Sequence, residues 1–294
     1  KRISLLLFNL RLFQLPLIRR LVLSIVLWVG WPSSAFSESD CAGCIELIEV
    51  IEGESEETTP EGSTGSTSAP PSSASYFGVA VLDTGVQLQP PLLAPGSISF
   101  VGGDPLVDYA KQGTHGTAVA QVILTLAPGS KILSLQTSTG GSSVSASAVY
   151  QGLLHAAANP SIRVINHSNA ALATVPGDAM LAAAAADKVV VMGAGNDWLA
   201  NPAGDALHAP GLGGKGLIVG GLGPDGKMLK FSNHAGAYAG HYVVALGASQ
   251  FADYWGTSFA TPRASALAAR LLQIWPKLTA AEVVDIIKRS ATDK

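Results

Sequence analysis

The chain has 294 residues, 48% of them apolar and only 13% charged, with 32 glycines; that length holds one large domain or two small ones, and that composition points to an α/β domain with many tight turns plus a strongly apolar end. The net charge is -3, and from residue 76 onward 13 basic side chains face 12 acidic ones. No basic stripe is available to neutralise phosphates, so nucleic acid is excluded as a partner.

The first twenty residues carry Lys1, Arg2, Arg11, Arg19 and Arg20 and no acid. "LVLSIVLWVGW", 11 residues, follows, and then "PSSAFS", whose small residues suit cleavage near Ala35 or Ser37. Residues 1–37 therefore read as a signal peptide, because 11 apolar residues are too few to span a bilayer. The expected location is secreted or periplasmic after cleavage; the alternative is a membrane anchor at the N-terminus. Residues 38–75 read as an acidic, Ser/Thr/Pro-rich disordered leader, with nine acids between 38 and 61. Within it "CIELIEVIEG" has the pattern of a short helix or strand. Cys41 and Cys44 form "CAGC", the only cysteines of the chain, and without further ligands nearby they read as a small disulfide or spare thiols.

From Tyr76 to residue 294 the character is that of a folded domain. β-Branched runs predict strands at Val79 to Asp83, Lys131 to Leu135, Arg163 to Asn166, Val189 to Met192, Leu217 to Val219 and Tyr242 to Leu246. Ala-rich stretches between them predict helices near 116–125, 146–158, 177–186, 260–274 and 280–289. The last opens on "TAAE", a capping box of Thr279 and Glu282. Near-continuous apolar strands alternating with helices predict a three-layer α/β sandwich, with a mostly parallel central sheet covered by helices on both faces. In such sheets ligands bind beyond the carboxyl ends of the strands. Asp83 and Asn196 both fall there.

"GVAVLDTGV", residues 78–86, has three readings: one half of an aspartic peptidase dyad, the histidine-orienting Asp of a serine peptidase, or a buried strand ending in a tight turn. The dyad needs a second carboxylate. The sequence holds no second Asp-Thr-Gly or Asp-Ser-Gly, and its strand–helix alternation is wrong for that architecture. The serine reading needs a base and a nucleophile. "QGTHGTAVA" offers His115 at the start of a helix, and "YWGTSFATP" offers Ser258 at the start of another. Singly, a core histidine and a Ser N-cap explain them as well. Together, in the order Asp, His, Ser, they are far more specific.

"VAVLDTGV", "HGTAVA" and "GTSFATP" resemble the three signature motifs of the subtilisin-like serine proteases, whose triad runs in that chain order. "LAPGSKILSLQ", "RVINHS", "VVVMGAGND" and "PKLTAAEVVDIIKRSAT" extend the resemblance from about Phe77 to Thr292. It implies a subtilisin-like fold and an exported serine endopeptidase with Asp83, His115 and Ser258 as triad. Asn196 and the Ser258 backbone N–H would form the oxyanion hole. Ser168, Asn169 and Ala170 would line one wall of the primary pocket and Gly193, Ala194 and Gly195 the other. Thr137 to Ser142, with Thr139, Gly140 and Gly141, would pair as an edge strand with an extended polypeptide substrate.

The sequence departs from the family at Ala118 and Gln121, at Arg263 and Ser265, at Trp255, and at Ser168-Asn169-Ala170 where Ser-Leu-Gly is usual. Arg263 is the odd one, a long cation on a helix expected to be buried, needing a carboxylate or a route to water. Between His115 and Pro128 there is no room for a calcium-binding insertion, and Asp104 and Asp108 are too few for an oxygen cage. No metal and no cofactor are expected. The leader is too short and too polar for a folding prodomain. A separate chaperone or inhibitor is therefore a candidate partner, and the enzyme is read as a monomer. Two rivals remain: a catalytically silent binding protein on the same fold, and an esterase, against which the absence of Gly-x-Ser-x-Gly argues.

Overall fold

In this computed structural model the described residues are 45–46, 77–110, 114–140, 144–168, 176–249, 251 and 255–293. By internal contacts the chain falls into two units. One, residues 1–32 and 48–75, lies outside the described residues, as do Cys41 and Cys44. The other, 33–47 and 76–294, holds everything that follows.

Among the described residues nine strands form one sheet: β1 (Ile45–Glu46), β2 (Gly78–Asp83), β3 (Ile98–Ser99), β4 (Lys131–Gln136), β5 (Ile162–His167), β6 (Val189–Gly193), β7 (Gly216–Leu222), β8 (Tyr242–Leu246) and β9 (Thr292–Asp293). Their order is β3-β4-β2-β5-β6-β7-β8-β1-β9. Seven strands, β3 through β8 in that order, run parallel. β1 joins β8 in parallel and β9 closes the edge antiparallel to β1. Of "CIELIEVIEG", read above as a short helix or strand, the described residues Ile45–Glu46 form β1 and the rest lies outside the described residues; β3 and β9, two residues each, were too short to leave a pattern.

Among the described residues five α-helices cover the sheet: α1 (His115–Leu126), α2 (Ala146–Ala158), α3 (Gly177–Ala185), α4 (Thr257–Ile274) and α5 (Ala280–Ser290). Alternate strand residues enter opposite cores, as the pleat requires. Val79, Val81, Val191, Val219 and Val243 pack with α1, α4 and α5, while Ala80, Leu82, Val190, Ile218 and Val244 pack with α2 and α3. Both faces being buried explains why the strands read as continuous apolar runs. This is the three-layer α/β sandwich that the alternation predicts. The Thr279 side chain accepts from the Glu282 N–H and the Glu282 carboxylate takes the Thr279 N–H, the expected capping box.

The strand order reverses around β2: the chain passes to β4 on one side and then crosses to β5 on the other. The carboxyl end of β2 is thus flanked on both sides, and Asp83 is its last residue.

Candidate active site

Asp83 is fully buried, and its Oδ1 lies 2.7 Å from Nδ1 of His115, the first residue of α1. The same oxygen accepts the Thr84 N–H at 2.8 Å. The two elements meet closely because position 116 has no side chain. A Cβ there would stand 2.3 Å from the Gly85 carbonyl oxygen and 3.1 Å from Asp83 Cβ. Glycine, costly inside a helix, is what lets α1 seat on the Asp-Thr-Gly turn.

A second carboxylate ties this junction together. Asp108 Oδ1 accepts the Thr84 hydroxyl at 2.7 Å and the Ala110 N–H at 3.1 Å, and its Oδ2 accepts the Thr117 N–H at 2.7 Å. The Thr84 oxygen in turn accepts the Gly116 N–H at 3.2 Å. Sequence reasoning weighed Asp108 only as a calcium ligand and dismissed it; a loop Asp has no periodic signal to betray such a bridge. Burial pulls the His115 pKa down, but the Asp83 charge, the Asp83 hydrogen bond and the Asp108 charge together outweigh it, so the imidazole is more basic than usual.

Ser258 is the second residue of α4, and the ring of the next residue, Phe259, lies 5.5 Å from the His115 ring, centroid to centroid. The Ser258 hydroxyl donates to the Ser168 carbonyl oxygen at 3.2 Å rather than to His115. Asn196 reaches the same helix start: its Oδ1 accepts the Thr257 N–H at 3.0 Å and the Thr257 hydroxyl at 3.2 Å. With Oδ1 so engaged, Nδ2 is the donor that the side chain has left to offer beside this helix start.

Ser168 and Gly193 stand opposite one another; a Cβ on Gly193 would be 3.7 Å from the Ser168 carbonyl oxygen. Ala194 and Gly195 continue from Gly193 toward Asn196, while Asn169 and Ala170 lie outside the described residues. Thr139 and Gly140 are in place at the end of β4 without forming a ladder, Gly140 abutting the Tyr109 carbonyl, and Gly141 is outside the described residues. Among the described residues no group of three or more His, Cys, Asp or Glu side chains is placed to hold a metal ion.

Two departures from the family motif find partners. Ser265 donates to Asn166 Oδ1 at 2.8 Å, and Asn166 Nδ2 donates to Ser168 Oγ at 2.8 Å, which links α4 to the end of β5. Arg263, 8% exposed, donates from Nε to the Leu246 carbonyl at 2.9 Å and from its fork to the Ala248 carbonyl at 3.2 Å. Burial lowers its pKa to about 10, so it stays charged at neutral pH. These bonds reach the strand end next to which Ala248 bridges antiparallel to Trp255, two residues before α4 begins.

The model of the subtilase family matches residues 76–294. The chain belongs to the subtilase family. It is accordingly a serine-type peptidase, a hydrolase, and its solved relatives agree in fold. A structure of MycP1 with its N-terminal propeptide removed is 25% identical, covering 72% of this chain and 82% of that one, with a TM-score of 0.55. A cold-adapted subtilisin-like serine proteinase is 23% identical over 72% of this subtilase and 81% of its own length, TM-score 0.57. The protease domain of PatA is 23% identical over 70% and 83%, TM-score 0.58. No curated protein matches the sequence at a significant level.

Proposed function

We propose that this subtilase is an exported endopeptidase that cleaves extended polypeptides through Asp83, His115 and Ser258, with an acyl-enzyme intermediate. The observation that carries the reading is the 2.7 Å contact of buried Asp83 with His115 Nδ1, made beside the helix start that bears Ser258 and faces Asn196. Asp83 fixes the tautomer that leaves Nε2 as the base, and it stabilises the imidazolium that forms. The reaction requires the Ser258 hydroxyl to exchange the Ser168 carbonyl for that nitrogen; catalytic hydrogen bonds often close only when substrate arrives.

His115 takes the Ser258 proton as Oγ attacks the scissile carbonyl. The tetrahedral oxyanion receives Nδ2 of Asn196 and the Ser258 N–H, which opens α4 and so adds the favourable end of a helix dipole. His115 then protonates the leaving amine, the C–N bond breaks, and water attacks the acyl-enzyme by the same route. Ser168 and Gly193 border the pocket for the residue before the scissile bond, and the Thr139–Gly140 backbone offers an edge to an extended chain.

Export follows from residues 1–37 as a signal peptide, with a polypeptide substrate met outside the cytoplasm; among the described residues no helix is long and apolar enough to cross a membrane. The test is hydrolysis of unstructured polypeptides by the wild-type chain and by Ser258→Ala. Internal cleavage lost in the variant is expected; equal turnover by both overturns Ser258 as the nucleophile, and none by either folded protein overturns the reading in favour of a binding protein.

A further inference from the structure

Asn196 stands in a loop whose shape is imposed from outside. Trp198, three residues past the end of the strand-leaving Gly195, sits at φ 61°, a left-handed conformation uncommon for so bulky a residue, and Gly195 sits at φ 101°. Such strained backbone persists only where its surroundings over-determine it, and it concentrates at functional sites. The surroundings here are one short segment, Phe231 to His234.

Asn233 is at its centre. It is fully buried, and it bonds the loop at four points. Its Oδ1 accepts the Asp197 N–H at 2.9 Å and the Leu199 N–H at 3.0 Å. Its Nδ2 donates to the Ala194 carbonyl at 3.0 Å, and its own N–H donates to the Gly195 carbonyl at 2.9 Å. Two N–H groups on one side and a carbonyl on the other fix which amide atom is which. Phe231 adds an acceptor for the Trp198 N–H at 3.0 Å, and the His234 N–H donates to the Leu199 carbonyl at 2.8 Å. The approach is close enough to require a glycine: a Cβ on residue 195 would lie 2.4 Å from Asn233 Nδ2.

Asn233 is held in turn. The Tyr242 hydroxyl donates to its carbonyl, and the Ser232 hydroxyl approaches the same oxygen at 3.3 Å. Tyr242 is fully buried at the start of β8. The bonds therefore run from the sheet through Asn233 into both flanks of Asn196, which itself receives none of them.

We infer that Asn233 is a positioning residue for the oxyanion amide: it sets the backbone on either side of Asn196 so that Nδ2 faces the nucleophile. This rests on the oxyanion role proposed above for Asn196. A preorganised donor works because it needs no reorganisation during the reaction, and a displacement of about 1 Å removes much of that advantage. Asn233 touches no substrate, so its loss falls on the transition state and not on substrate binding.

The experiment is a double-mutant cycle with Asn196→Ala and Asn233→Ala, reading kcat and KM on one peptide substrate and the melting temperature of each variant. Asn196→Ala is expected to lower kcat by ~10²–10³-fold with KM little changed. Asn233→Ala is expected to lower kcat by at least ~10-fold, again with KM held, and to add almost nothing in the Asn196→Ala background, because both changes remove one donor. Independent, multiplying losses would overturn the inference while leaving Asn196 as the donor. An undiminished kcat in Asn196→Ala would overturn the oxyanion role itself, and the inference with it. Should Asn233→Ala not fold, Tyr242→Phe tests the same chain of bonds from one step further out. A kcat loss that disappears in the Asn196→Ala background supports the inference; an unchanged kcat, or a loss that persists, contradicts it.

Discussion

The hydroxyl of Thr84 and the carboxylate of Asp108 meet at 2.7 Å, and through that contact one acidic side chain joins the turn that carries Asp83 to the helix that opens on His115. The imidazole of His115 is therefore positioned by two carboxylates, one touching it and one acting through the backbone around it. The second also bears on its charge, since Asp108 raises the His115 pKa.

Asp108→Asn keeps the outline and removes the charge, along with one of the two oxygens that accept from Thr84, Ala110 and Thr117. His115 serves as base only when neutral, so kcat/KM climbs as pH rises through its pKa. With Asp108 neutral that pKa falls, and the acid limb of the kcat/KM profile moves to lower pH. The measurement is the profile of the two proteins on one substrate. A limb that moves to higher pH, or stays in place, contradicts the network.

Gly116→Ala brings a methyl to 2.3 Å from a backbone oxygen of the Asp-Thr-Gly turn, which cannot swing away as a flexible side chain would. The turn and α1 must separate, at a cost of about 1–3 kcal/mol of stability. His115 then leaves Asp83. We expect a lower melting temperature together with a fall in kcat/KM larger than any other alanine in α1 produces.

Arg263→Met removes the donor to the half-buried carbonyls of Leu246 and Ala248 while roughly keeping the side chain's length. Thermal unfolding should show a loss of about 1.5–3 kcal/mol, the scale of hydrogen bonds made by a charged group. An unchanged melting temperature would show that the guanidinium does not hold this segment.

Much of this architecture was legible in the residue pattern. Strands buried on both faces betray themselves as runs such as Val189–Met192, and helix α2 begins and ends where its Ala-rich stretch does. Asp83, His115 and Ser258 stood out because each pairs a reactive side chain with glycine in a place where packing alone has little use for it. Asp108 and Asn233 did not stand out. Both sit in loops, and their partners lie from 2 to 39 residues away along the chain, so neither periodicity nor spacing marks them. The Leu246 and Ala248 carbonyls that accept from Arg263 were equally hidden, since a backbone oxygen leaves no mark in the side-chain pattern. β3 and β9 escaped because two residues cannot display an alternation.

Asp83→Asn should retain the fold, since an amide fills the same volume. It presents the wrong partner to His115 Nδ1, and a loss of about 10⁴ in kcat is the scale expected when the imidazole is left in the wrong tautomer. A variant within tenfold of wild type would mean that Asp83 does not set the tautomer of His115.

The most direct test is covalent. A fluorophosphonate should add one equivalent of label to the folded wild-type chain, and tandem mass spectrometry should place it on Ser258 Oγ. Labelling should vanish in Ser258→Ala and slow sharply in His115→Ala. A folded wild-type protein that takes no label, or takes it on another residue, contradicts nucleophilic catalysis by Ser258.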